Sequence, residues 1–267
     1  MQEIKSFFEK EKIEYFSVMP YSACCEISPA IMEREGFLPK SVIIFLIPYY
    51  TGEGENLSCY ATSRDYHIYI KLLTQRLIEN LKLRFPEINA RGFGDHSPID
   101  ERRAAAISGL GKFGDNGLLI NEKYGSFIFI ADLISDIPIE KFGVSFTPSV
   151  AERCIGCGAC KKACPTGILS GEGSECLSFI TQKKGELTEE EIALIKQSGV
   201  IWGCDECQSV CPMNKKLLTP IEFFHEKRIA KLNSEILSSM SKAEFSERAF
   251  AWRGRKTVER NLKIMGE

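Results

Sequence analysis

Eight of the eleven cysteines lie between Cys154 and Cys211, seven of them in two tight groups. The first reads Cys154-x2-Cys157-x2-Cys160-x3-Cys164-Pro165, the second Cys204-x2-Cys207-x3-Cys211-Pro212, and Cys176 lies between them. Three thiols spaced by two residues wrap one corner of a four-iron, four-sulfur cubane. The fourth, before a proline, ligates the other cluster in two-cluster ferredoxins. That rule gives a crossed wiring. Cys154, Cys157, Cys160 and Cys211 would hold one cluster, and Cys164, Cys176, Cys204 and Cys207 the other. Zinc sites pair two close cysteines with two distant ones, a sparser habit than this. Cys24, Cys25 and Cys59 have no comparable spacing and read as small packed residues. A chain carrying two cubanes moves single electrons.

Composition sets the frame for that chemistry. The 267 residues are 44% hydrophobic and 26% charged, enough for one or two domains with a real core. No apolar run approaches the roughly 18 residues of a membrane span, so no membrane partner is expected. The first residues, Met1 to Lys5, lack a basic stretch followed by an apolar one. A cytoplasmic location follows, where thiols stay reduced and favour metal over disulfides. The net charge of −2 supplies no global field for nucleic acid. The stretch from Arg253 to Lys263 is locally basic, and reads equally as a solvated helix face or a phosphate contact.

The elements that must position the clusters are an α/β region over 1–150, a cysteine-rich domain over 151–219 and a helical tail over 220–267 that packs on the body. The expected class is therefore α+β. Val42 to Ile47 is a continuous apolar run suited to a central strand buried on both faces. Tyr66, Ile70, Leu73, Leu77 and Leu81 make one helix face, which Pro86 stops. Ile88 to Phe93 reads as a short strand. A helix is expected over Pro98 to Ser108, with Ser97 as its N-cap. Leu118 to Asn121 and Ser126 to Leu133 are expected to pair as a hairpin.

The upstream region must hold what receives the electrons. Gly109-x-Gly111-x-x-Gly114 has the letters of a dinucleotide fingerprint, but it follows a helix and precedes a strand, so the required context is reversed. Four glycines in nine residues either admit a bulky ligand or make a tight turn.

In this order along the chain, several segments resemble the epoxyqueuosine reductases, cobalamin-dependent iron–sulfur enzymes related in fold to reductive dehalogenases. They are Tyr60-Ala61-x-x-Arg64-Asp65-Tyr66-His67, Asp95-x-Ser97-Pro98-x-x-Glu101-Arg102, the loop Gly109 to Asn116, Gly125-Ser126-Phe127, and the cysteine region with Cys164-Pro165-Thr166-Gly167 and Gly203-Cys204-Asp205-Glu206-Cys207. The resemblance is to a short form, since the sequence reaches Glu267 without the helical-repeat extension many members use to grip transfer RNA.

The resemblance implies an α/β cobalamin-binding domain of the reductive-dehalogenase type followed by a double-cluster ferredoxin-like domain. It implies reduction of the epoxide of epoxyqueuosine in tRNA to the alkene of queuosine, with two electrons, two protons and loss of water. An external donor such as flavodoxin or ferredoxin would feed the clusters, and a monomer is expected. Asp95 stands where the family has its proton donor, a role that needs a pKa well above the usual value of about 3.9. Cys59, Tyr60, Asn116, Gly117, Ser178 and Asp205 lie in segments the family places around the corrin. His67 reads as structural. Three positions depart from the family: Lys112 and Asp115 replace a tryptophan and a lysine of its glycine loop, and Cys59 replaces an arginine. These departures keep two alternatives open, a corrinoid or flavin reductase of a small molecule and a non-catalytic 4Fe-4S electron carrier.

Overall fold

A computed structural model describes residues 1–266. It divides into two compact units, one of residues 1–48 and 67–155, the other of 49–66 and everything from Gly156 onward. Neither unit is one continuous stretch of chain. Residues 49–66 leave the N-terminal half because Leu57 and Ala61 bury themselves with Ile201, Trp202, Leu232 and Phe250. Leu232, Phe250, Val258 and Leu262 of the tail belong to that same core.

The first unit contains α1 (Gln2–Lys10), β1 (Phe16–Pro20), α2 (Pro29–Glu35), β2 (Ser41–Pro48), α3 (Tyr66–Lys82), β3 (Ala90–Phe93), α4 (Glu101–Ile107), β4 (Lys112–Phe113), β5 (Leu119–Ile120) and β6 (Ile128–Ser135). Among the described residues four strands form one sheet in the order β1-β2-β6-β3, antiparallel throughout. β2 is buried at every position, as its unbroken apolar run demands. Phe45 meets Phe8 of α1 on one face. Val42, Ile44 and Leu46 meet Ala104, Ala105 and Ala106 of α4 on the other. The α3 stripe holds, with Tyr69, Ile70, Leu73, Thr74, Leu77 and Leu81 buried. Its Thr74 crosses β3 at Gly92, where a Cβ would lie 2.3 Å from the threonine Cβ, so only glycine fits.

Two local expectations change. Leu119–Ile120 pairs with Lys112–Phe113 and not with β6, because β6 is taken up between β2 and β3. The N-cap of α4 is Asp100, whose Oδ1 accepts the Arg103 N–H at 3.0 Å, and the helix starts three residues later than expected from Ser97-Pro98.

The second unit contains α5 (Ala159–Ala163), α6 (Leu177–Gln182), α7 (Glu189–Ser198), α8 (Glu206–Ser209), α9 (Ser234–Ser239), α10 (Lys242–Ser246) and α11 (Arg255–Ile264). Much of the basic C-terminal stretch works internally. Arg255 donates to the Leu237 and Met240 carbonyls, and Arg260 to those of Lys183 and Gly185. Buried Arg248 donates to the Thr62 carbonyl at 2.8 Å and the Lys227 carbonyl at 2.7 Å, which clamps the 49–66 excursion. Among the described residues no helix is long and apolar enough to cross a membrane. Arg248→Met removes the donor for both carbonyls and should cost about 1–3 kcal/mol in urea unfolding, with faster proteolysis within 49–66.

Candidate functional site

Asp95 lies between β3 and α4 with φ +69, a left-handed conformation that is uncommon outside glycine. Strain of this kind collects at functional positions. Its side chain is half-exposed, and Oδ2 stands 3.5 Å from His67 Nε2 at the start of α3. Asp95, Glu101 and Arg102 share a cavity of about 580 Å³ with Ile99, Leu119 and Ile128. A carboxyl beside an apolar wall can hand a proton to a leaving oxygen there.

Behind the cavity, two further carboxyls come together. Asp132 is fully buried in β6, opposite Ile44 on one side and Phe93 on the other. The Ser97 and Glu101 side chains lie within hydrogen-bonding reach of its carboxyl. Burial, with Asp132 and Asp95 adding their charge, pushes the Glu101 carboxyl up to about 9, against a bond from the Asp95 backbone N–H. Burial likewise pushes Asp132 up to about 7, with the nearby Ser97 and Glu101 side chains acting the other way.

The glycine loop is a turn. A Cβ at Gly111 would meet the Ile120 carbonyl oxygen at 2.9 Å, and one at Gly114 the Asn116 Oδ1 at 2.4 Å, so the protein itself fills that space. The loop also sets the first cysteine. Phe113 N–H donates to the Glu152 carbonyl and Cys154 N–H to the Phe113 carbonyl, at 2.9 and 2.8 Å. Lys112 pairs with Glu152, and Asp115 with Arg153.

In the second unit, α5 with Cys160 packs on α8 with Cys207 and so brings the two cysteine groups side by side. Cys204 has Cys176 and Cys207 as electrostatic neighbours, and burial holds its thiol up to about 12. Burial acts the same way on Cys164, but backbone N–H groups of Leu169, Thr166 and Ile168 and the Thr166 hydroxyl outweigh it and lower its pKa. Such a ring of donors suits a metal-bound thiolate.

A 4Fe-4S double cluster binding domain matches residues 153–214. An epoxyqueuosine reductase of Leadbetterella byssophila is 34% identical over 226 residues, covering 78% of this chain and 72% of that protein. The chain belongs to the epoxyqueuosine reductase family. It spans 55% and 59% of the length of two other curated reductases that it matches. The solved epoxyqueuosine reductase from Streptococcus thermophilus aligns with 99% of this chain and 80% of its own at 22% identity, with a TM-score of 0.80. Another solved reductase, crystallised with an epoxyqueuosine-modified tRNA-Tyr stem loop, aligns with 99% of this chain and 80% of its own at 24% identity, with a TM-score of 0.76. The chain is an oxidoreductase with two 4Fe-4S clusters.

The residues suggested for an epoxyqueuosine reductase corrin site belong to both units. Cys59, Tyr60 and Asp205 form one bonded group. Asp205 Oδ1 accepts the Ser58 hydroxyl at 2.6 Å and Oδ2 the Cys59 N–H at 2.5 Å, while Tyr60 accepts the Trp202 Nε1–H at 2.9 Å. The Cys59 thiol is buried, and burial beside Asp205 pushes its pKa up. Ser178, in α6, accepts from Gln182. Asn116 and Gly117 belong to the first unit, where Asn116 Oδ1 accepts the Leu118 N–H and the Gly117 carbonyl accepts Arg102 Nη1–H. Sequence reasoning missed the pairing of Glu101 with Asp132. The available signal was a lone acid inside an apolar strand. Because both carboxyls titrate higher in the folded chain than at their usual 4.5 and 3.8, the native state keeps protons that the unfolded chain releases. Their contribution to stability is therefore present below about pH 4 and lost as pH rises through the folded values. Urea midpoints measured across this range should fall with pH, and Asp132→Asn should flatten the fall.

Proposed function

We propose that this chain reduces the epoxide of epoxyqueuosine in tRNA to the alkene of queuosine, with Asp95 as the general acid. The observation that carries the reading is Asp95 held in a left-handed backbone at the mouth of a cavity walled by Ile99, Leu119 and Ile128. Family membership supplies the reaction, and the tRNA stem loop bound by a solved relative supports the substrate.

The eight cysteines divide as the spacing rule gives. Cys154, Cys157, Cys160 and Cys211 hold one cluster, and Cys164, Cys176, Cys204 and Cys207 the other. The proximity of Cys176, Cys204 and Cys207 supports the second set. A one-electron donor of the flavodoxin or ferredoxin class feeds them from the cytoplasm.

The residues present also fit a corrinoid. The cavity offers an apolar wall, with Asp95 and Arg102 as polar groups at the same place; Asn116 and Gly117 are the candidate contacts in this unit, and Cys59, Tyr60, Ser178 and Asp205 those in the other. When bound, a cobalamin would supply a low-valent cobalt centre able to reduce the substrate carbon. The chain's own residues do the rest. Ile99, Leu119 and Ile128 exclude water, and a bound substrate covers the half-exposed Asp95 and gives it the burial a general acid needs. Asp95 then protonates the epoxide oxygen as its C–O bond breaks.

Asp95→Asn should keep both clusters and lose about 100-fold or more in turnover. Unchanged turnover removes Asp95 from the mechanism. Cys211→Ala should lose iron from the cluster held by Cys154, Cys157 and Cys160, read as iron and acid-labile sulfide per chain. A full complement of both refutes the crossed wiring.

A further inference from the structure

Removing an epoxide oxygen as water breaks two C–O bonds and consumes two protons, while Asp95 carries one. We propose that Glu101 and Asp132 form a buried one-proton couple that supplies the second proton to Asp95 while the substrate is still bound. The inference rests on the reaction proposed above.

Three observations place the couple. Asp132 sits in the apolar face that β2 and β6 present to α4, among Ile44, Ile134, Ala104 and Ala105, where an ion has no solvent. Glu101, in the first turn of α4, lines the same cavity as Asp95 and lies close enough to feel its charge and take its backbone N–H. The Glu101 and Ser97 side chains are the polar groups within hydrogen-bonding reach of Asp132, so the two carboxyls meet each other across an otherwise apolar interior. Two carboxyls buried together cannot both ionise, so one proton stays with them.

The charged and titratable neighbours come from every side. Asp95 belongs to the β3–α4 connection and Asp100 to the cap of α4. Tyr21 and Cys24 face Asp132 from residues 21–24, and the field of Asp132 raises both. Arg102 lines the cavity and spends one N–H on the Gly117 carbonyl. His67 is the other group beside Asp95, and it is half-exposed.

The protons balance. Asp95–COOH gives its proton to the epoxide oxygen as the first C–O bond breaks and becomes a carboxylate. The Glu101 O–H bond then breaks as a new O–H bond forms on Asp95. Asp95 passes this proton to the hydroxyl group that leaves as water when the second C–O bond breaks. The two electrons come from the reduced clusters and corrinoid of the proposed reaction. Solvent returns one proton to the couple and one to Asp95 after product leaves.

The test compares Glu101→Gln, Asp132→Asn and His67→Gln with the parent chain. Before any cofactor is loaded, infrared spectra at neutral pH should show a buried protonated carboxyl band that Glu101→Gln abolishes and Asp132→Asn shifts. In the holoenzyme, Glu101→Gln should lower kcat about 100-fold with KM unchanged. It should also remove the fall in kcat that accompanies deprotonation of the couple at high pH, and Glu101→Asp should partly restore both. Thermal melts confirm that each variant is folded, and Asp132→Asn carries the test if Glu101→Gln is not. Absence of the infrared band, an unchanged kcat in Glu101→Gln, or a pH profile moved only by His67→Gln overturns the proposal. A parent chain that shows the band yet turns over no epoxide overturns the reaction reading instead, and leaves the couple a structural pair.

Discussion

The carboxylate of Asp205 ties together two stretches of chain that are far apart in sequence. It stands between Cys204 and Cys207 and accepts both the Ser58 hydroxyl and the Cys59 N–H. Hydrogen bonds to an ionised acceptor are roughly twice as strong as neutral ones, and these two are short. Gly203 adds a steric demand. With φ +77 and Ser58 Cβ 2.4 Å from where its own Cβ would be, it lets the 49–66 excursion lie directly against the second cysteine group. Trp202 below it is fully buried and bonded to Tyr60. The loop that presents Cys204 and Cys207 is therefore held by the protein's own contacts with residues 58–60.

In the other unit the controlling feature is an unfavourable one. An acid at the centre of a sheet buried on both faces raises the cost of folding. The sheet keeps it anyway, directly behind a helix whose first residue is another acid. Departures from local stability rules of this sort gather at functional sites, and the left-handed backbone of Asp95 is a second departure at the same place.

Much of this was readable from residue order. The unbroken run from Val42 to Ile47 and the three-and-four spacing along α3 report burial directly, because each depends only on local periodicity. Cysteine spacing carries its chemistry in the same local way. What could not be read depends on distant partners. Leu118 to Asn121 has strand letters, but which strand it joins is settled by β6 inserting between β2 and β3. Ser97 and Asp100 are both good caps, and the buried Ser97 loses that role to an aspartate three residues on. Residues 49–66 hold no signal of their own that they will pack with Trp202 and Phe250. Of the two readings of the glycine loop, a tight turn is the one that holds at Gly111 and Gly114, where β5 and Asn116 fill the space. The sign-reversed Asp115 finds Arg153, a pairing visible only once Phe113 is aligned beside the chain leading to Cys154.

The central claim is that electrons from two cubanes in this chain open an epoxide that Asp95 protonates. It is tested most directly by nucleoside mass analysis of epoxyqueuosine-bearing tRNA, incubated without oxygen with the cluster- and cobalamin-loaded protein and a low-potential reductant. The account predicts loss of one oxygen from the modified nucleoside to give queuosine. Unaltered epoxyqueuosine in the presence of fully loaded, reducible protein would contradict it.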